Sequence, residues 1–289
     1  MHPLIKELLS SGPVLTDGAW GTELQSRGLA VGEFPDLWNL THPDEVRGVA
    51  RSYVAAGSRV ILTNTFGANR IRLGEHSAQE QVDAVNRSGV TISREAAGTK
   101  ARVFASIGPS GKLLMNGEIS EEDLLNAFRG QARALAAAGA DAIVVETMSE
   151  VAEAKLAIQA ARETGLPVAA CMVYDSGKEK DRTMMGTRPE EAAIELTAAG
   201  ADIIGANCGQ GIEGFAAICR RLKGATDRPI WIKANAGLPE MVDGRAIYKT
   251  TAAQFASRVP DLLQAGASFI GGCCGTSPAF IAAASSRLG

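Results

Sequence analysis

A chain of 289 residues has room for one large domain. Folding at this size buries roughly three quarters of the surface that the unfolded chain exposes, so no disulfide framework is required. Twenty-nine Lys and Arg against thirty-two Asp and Glu leave a formal charge of −3, which argues against general affinity for nucleic acid or an anionic membrane, while hydrophobic residues at 46% and charged residues at 21% exclude a disordered or collagenous chain.

The start, Met1 to Gly12, is too short and too polar for a secretory signal and reads as a first turn or two of amphipathic helix. No run approaches the ~20 apolar residues that span a bilayer, and the expectation is a soluble, cytoplasmic chain with no membrane or nucleic-acid partner. Val14–Thr16 is the first strand candidate. A recurring unit then follows, in which a helical stretch ends in Ala-Gly and a short apolar run comes next. It occurs as Ala56-Gly57 before Arg59–Thr63, Ala138-Gly139 before Ala142–Glu146, Ala199-Gly200 before Ile203–Asn207, and Ala265-Gly266 before Phe269–Gly272. The glycines recur at about twice the ~30 residues of one βα unit, which leaves space for Arg102–Ser106, Val168–Met172 and Ile230–Lys233 as further strands.

These runs are short and nearly continuous in apolar character, as parallel strands buried on both faces are. Gly after each helix is the expected left-handed terminator. Between strands, Ser120 caps a helix with acids in its first turn, and Leu124, Leu125, Phe128, Ala132 and Leu135 form its inward stripe. Pro278 after Ser277 opens the last helix. Eight strands alternating with helices predict a single (β/α)₈ TIM barrel over residues 1–289, one domain without a linker. A doubly wound sheet is the runner-up, and no Gly-x-Gly-x-x-Gly follows the first strand to support it.

In such a barrel the chemistry sits just beyond the carboxyl ends of the strands. Three of the five cysteines fall there: Cys208 after the sixth strand, Cys273 and Cys274 after the eighth. Cys171 lies within the fifth strand and Cys219 within a helix. Three protein ligands with a fourth position open is the pattern of a catalytic zinc, and soft thiolates favour Zn²⁺ over magnesium or calcium. None of the three histidines, His2, His42 and His76, stands at a strand end, so a histidine-built hydrolytic zinc is not expected. Zinc with three thiolates carries a net negative charge and acidifies water poorly, but suits a substrate thiol as fourth ligand, and the natural reaction is alkylation at sulfur. The plain alternative is that these cysteines are packing residues or a redox pair.

The segment Gly271-Gly272-Cys273-Cys274-Gly275-Thr276, with Gly205-Ala206-Asn207-Cys208 and Asp17-Gly18-Ala19-Trp20-Gly21-Thr22, resembles the homocysteine S-methyltransferase family, over about Val14 to Leu288. That family includes the homocysteine-binding module of cobalamin-dependent methionine synthase and betaine–homocysteine methyltransferase. The resemblance implies a zinc-dependent methyltransferase that forms methionine from homocysteine, with Cys208, Cys273 and Cys274 as metal ligands. It further implies Asn235 as a fourth ligand that the substrate thiol displaces, Glu146 as the carboxylate that receives the substrate ammonium, and Asp17, Gly18 and Thr63 as the region holding its amino-acid head. The alternatives are a Glu146 ion pair with Lys or Arg, Asp17 as a helix cap, Thr63 and Asn64 as partners of strand-end backbone, and Asn207 as a loop support.

On the donor side a quaternary ammonium calls for an aromatic cage. The candidates are Trp20, Phe66 and Tyr174, with Phe34 and Trp38 in the preceding loop. Where vertebrate betaine enzymes carry extra tyrosines this chain has Gly67 and Thr147, and the stretch from Thr63 to Asn69 looks more like the methionine synthase module. With one barrel using the whole length, methylcobalamin as donor would arrive free or on a separate corrinoid protein. Asp175 to Asp181 reads as a solvated loop on the rim. A homo-oligomer is compatible with this reading. The competing functions are the same barrel acting on another thiol or selenol, a subunit of a corrinoid demethylation system, or a non-catalytic zinc or redox module.

Overall fold

The computed structural model describes residues 1–242 and 245–288. Its apolar runs form β1 (Val14–Leu15), β2 (Val60–Ile61), β3 (Arg102–Ile107), β4 (Ala142–Met148), β5 (Val168–Met172), β6 (Ile203–Gly211) and β7 (Ile230–Asn235). A short antiparallel hairpin follows, β8 (Glu240–Val242) with β9 (Arg245–Ile247), and then β10 (Ala267–Gly272). The eight strands other than the hairpin pair in parallel in the order β1-β10-β7-β6-β5-β4-β3-β2. A parallel bridge between Thr16 and Val60 joins β1 to β2 and brings the ring round on itself. With helices alternating between strands, this is the (β/α)₈ barrel expected from the sequence.

Alternation along each strand sorts the side chains into two cores. One face of each strand points inward: Val14, Val60, Leu62, Phe104, Val144, Ala169, Cys171, Ile203, Trp231 and Phe269 fill the barrel. Trp231 stacks between Phe104 and Phe269 with ring centroids 5.9 Å and 5.2 Å apart. The other face, including Ile61, Val103, Val145, Ala170, Met172, Ile204 and Ile232, packs on the helices. Two residues beyond the inward apolar layer come Ser106, Glu146 and Lys233, and four beyond Phe269 comes Cys273, so an apolar floor gives way to a polar top.

The N-terminal segment forms the helix Pro3–Leu9, capped by His2, whose Nδ1 accepts from the Leu4 N–H at 3.2 Å. Ile5 and Leu8 join the interior cluster and close the floor. Ser120 Oγ accepts from the Asp123 N–H at 3.1 Å at the start of Glu121–Ala137, and Leu124, Phe128, Ala132 and Leu135 are buried while Leu125 is half-buried. The turn glycines Gly57, Gly139, Gly200 and Gly266 all have positive φ, between 90° and 101°. No helix among the described residues is long and apolar enough to cross a membrane.

Two features depart from the sequence reading. β4 and β6 run on to Met148 and Gly211 through register shifts, and within those stretches Thr147 and Cys208 hold positive φ of 60° and 61°. The β8–β9 hairpin was not expected, because each of its strands is only three residues long and lacks an apolar run. Ile5 is fully buried against the barrel interior. Ile5→Ala is therefore expected to lower the unfolding free energy by about 2–4 kcal/mol, read as a drop in urea midpoint at unchanged slope.

Candidate metal centre and substrate cavity

The ends of β6 and β10 bring three sulfurs together. Cys208, Cys273 and Cys274 offer ligand atoms that all lie within 4.8 Å of one another, and Cys208 Sγ is 3.8 Å from Cys274 Sγ. Tetrahedral zinc with bonds of about 2.3 Å sets its sulfurs ~3.8 Å apart. Among the described residues no other group of three His, Cys, Asp or Glu converges in this way. Backbone bonds pin the turn that carries the pair: the Cys273 N–H donates to Ala234 O at 2.7 Å, and the Ala236 N–H to Cys274 O at 2.9 Å. Close approach dictates the flanking glycines. A Cβ on Gly272 would stand 2.2 Å from Thr276 Oγ1, and one on Gly275 2.2 Å from the Tyr248 ring.

The electrostatics of the trio call for a cation. Hydrogen bonds from Cys273 and Cys274, helped by the Gly209 N–H and Asn235, hold the Cys208 thiol far below its ordinary range. The same contacts and burial push Cys273 upward, because a second and third negative charge in one small space are mutually repulsive. A divalent ion lets all three ionise. Beside them Asn235 is buried, with its Oδ1 lacking any hydrogen-bond partner. Three soft donors and an orphaned oxygen fit a zinc ion.

Glu146, on the inward face of β4, is 7% exposed. Ser106 Oγ donates to its Oε1 at 2.6 Å and Asn207 Nδ2 to its Oε2 at 3.1 Å. Burial raises its pKa, and the positive charge of Lys233 opposes that rise. Asn207 also accepts from the Thr147 N–H at 2.8 Å and donates to Thr147 Oγ1 at 2.7 Å, so it braces the left-handed turn after Glu146.

Asp17 is fully buried and accepts from Lys233 Nζ at 2.5 Å, Trp20 Nε1 at 2.7 Å and the Leu62 N–H at 2.7 Å. It does not cap the next helix, Gly21–Ser26, whose N-cap is Trp20. Thr63 Oγ1 shares a hydrogen bond of 2.6 Å with Thr65 Oγ1 and accepts from the Ser106 N–H at 3.1 Å.

A cavity of about 610 Å³ opens over these groups. Gly18, Thr63, Ser106, Glu146, Lys233 and the three cysteines line it, and Trp20, Phe34, Asp36, Phe66, Arg72 and His76 line it too. Phe66 is 40% exposed at the mouth. Tyr174 does not reach this cavity: two residues beyond Met172 on the outward face, it is buried in the helix-facing core. Its expected donor-side position is corrected accordingly. The Asn235 side chain hydrogen-bonds Cys208 and is not among the residues that line the cavity.

Lys233, Asp36 and Tyr248 were missed by sequence reasoning. Tyr248 reaches the cavity only because of the unforeseen hairpin. For Lys233 there was a signal: a lone charge two residues after Trp231, with apolar residues on either side from Ile230 to Ala234. Asp36 is buried, accepts from the Gly67 N–H at 2.8 Å, and desolvation pushes its carboxyl up to about 7.

A family model for homocysteine S-methyltransferase matches residues 14–288. The chain belongs to the homocysteine S-methyltransferase family. It is 29% identical to methionine synthase of Mycobacterium tuberculosis over 95% of its own length, but spans only 24% of that protein. It is also 29% identical to homocysteine S-methyltransferase 4 of Zea mays, covering 95% of this chain and 89% of that one. The fold is similar to that of the metallated homocysteine methyltransferase MmuM from Escherichia coli, with a TM-score of 0.82, 25% identity, and 99% and 100% of the two chains covered.

Replacing Cys208, Cys273 or Cys274 by Ser is expected to weaken zinc binding by more than roughly 100-fold in competition with a chromogenic chelator, with Cys219→Ala unchanged. Asp36 gives a second expectation. Its carboxyl ionises near 3.8 when unfolded and about 7 when folded, so the fold binds the extra proton between those values and loses stability as pH rises through them. Asp36→Asn keeps an acceptor for the Gly67 N–H and should gain on the parent by roughly 1–3 kcal/mol between about pH 5 and pH 8, measured by denaturant titration at each pH.

Proposed function

We propose that the chain is a zinc-dependent homocysteine S-methyltransferase that forms methionine. The observation that carries this reading is that the three sulfurs and the buried Glu146 carboxylate open into one cavity. When bound, zinc supplies thiol acidification, so that a substrate sulfhydryl is a competent nucleophile at neutral pH. Cys208, Cys273 and Cys274 would hold the ion, with the Asn235 oxygen as the fourth donor that a substrate thiol could replace.

Glu146 receives the substrate ammonium in a charge-assisted hydrogen bond. Ser106 and Asn207 each fix one of its oxygens, so the carboxylate is oriented before the substrate arrives. The substrate sulfur, having released its proton, attacks the methyl carbon in line. The new sulfur–carbon bond forms as the bond to the donor breaks, and the donor leaves with the electron pair. Trp20 and Phe66, with Phe34, form the side of the cavity that faces the donor. That side suits a betaine-like cation through its aromatic faces and a methylcobalamin-type donor, free or presented by a separate corrinoid protein.

Zinc-loaded protein mixed with homocysteine and, separately, betaine, S-methylmethionine, methylcobalamin, or methylfolate with a corrinoid protein is expected to yield methionine in one mixture by mass spectrometry. Methionine from none of them overturns the reaction. Glu146→Gln is expected to raise the KM for homocysteine about 10- to 100-fold. The same change should leave turnover of 4-mercaptobutanoate, which lacks the ammonium, near the parent value.

A further inference from the structure

Lys233 is a buried ammonium with most of its hydrogen-bonding capacity unspent. It sits on β7 directly above Trp231, in register with Asn207 of β6 and Gly271 of β10, and its side chain is 3% exposed. An ammonium carries three N–H donors. One goes to Asp17 Oδ1 at 2.5 Å, and no other hydrogen bond is made by Nζ among the described residues. Asp17 has little more to offer, since Trp20 and the Leu62 N–H already occupy its Oδ2.

Glu146 and Cys273 act on Lys233 through charge without hydrogen-bonding it, so what its ammonium lacks is a further acceptor. Lys233 lines the cavity beside Gly18, Glu146 and Cys273. An ammonium that lines a cavity with donors to spare can meet an acceptor that arrives from outside. The other cation on its wall, Arg72, is committed to Glu75 at 2.7 Å. The backbone alternative is partly used up as well, because the Ala19 N–H of the turn after β1 donates to Thr276 Oγ1 at 3.2 Å.

We infer that Lys233 receives the α-carboxylate of the amino-acid thiol, with Asp17 as the group that positions its ammonium. This rests on the homocysteine reading above. The cavity then recognises the whole zwitterion: Glu146 takes the ammonium, Lys233 the carboxylate, and the sulfur cluster the thiol end. The specificity that follows is for an α-amino acid over a simple aminothiol.

Isothermal titration of the zinc-loaded protein with homocysteine and with 3-aminopropane-1-thiol, its decarboxylated counterpart, tests this without any methyl donor. The parent should bind homocysteine about 10- to 100-fold tighter than the aminothiol. Lys233→Met should remove that preference by weakening homocysteine alone. Because that change strands the Asp17 carboxylate, the Asp17→Asn/Lys233→Met pair is compared with Asp17→Asn, and the preference should vanish only in the pair. Equal weakening of both thiols, or a preference kept without Lys233, overturns the assignment. A parent that binds both thiols equally overturns the carboxylate assignment alone, whereas one that binds neither overturns the homocysteine reading with it.

Discussion

The top of this barrel takes charged groups out of water and makes each the partner of another. Asp17, Lys233 and Glu146 are all buried, and three thiols stand beside them. A lone ion in such a place costs several kcal/mol or more, and the penalty is offset only by close pairing and by hydrogen bonds on the remaining lone pairs. The Asp17 carboxylate meets that demand within the protein, accepting three hydrogen bonds. Glu146, Lys233 and the sulfurs meet it only in part. The groups left partly unmatched are the ones that line the cavity, so the same electrostatic constraint that makes the barrel top costly defines what it must bind.

Backbone strain is found in the same place. Thr147 and Cys208 are two of the four described non-glycine residues with positive φ, and both follow residues of the network, Glu146 and Asn207. Such conformations cost of order 1 kcal/mol or more and persist where their surroundings fix them. Asn207 does this through one amide that reaches the Thr147 backbone, the Thr147 hydroxyl and Glu146, with Cys273 Sγ 3.9 Å away. A side chain with only a donor or only an acceptor would not hold both strands. The amide therefore ties the geometry of the carboxylate to that of the sulfur cluster across β4 and β6.

Much of this was legible because strand parity in a barrel is strict. Phe269, Gly271 and Cys273 alternate onto the inward face, as do Val144 and Glu146, so residues at those strand ends had to converge. The same rule, carried one step further, places Lys233 inward after Trp231 and sends Tyr174 outward after Met172. Reading Tyr174 by its chemistry rather than its parity is why it was misplaced. The hairpin that brings in Tyr248 was illegible for a different reason. Its pairing depends on position over the barrel mouth, and three-residue strands carry too little pattern to declare themselves.

The donor side shows how one residue type propagates through a wall. Gly67 is packed so closely that a Cβ there would lie 2.6 Å from the Phe34 ring and 3.5 Å from an Asp36 oxygen. A tyrosine at this position would require Phe34 to move. Phe34 is itself stacked on His76 at 4.3 Å between ring centroids, with Arg72 5.9 Å from its ring centroid. The absence of a side chain at Gly67 is thus required by the packing of Phe34. Phe34 occupies the ground that a side chain at residue 67 would take. The Gly67 N–H, bonded to Asp36 Oδ1, fastens that wall to the loop leading into the strand-two turn.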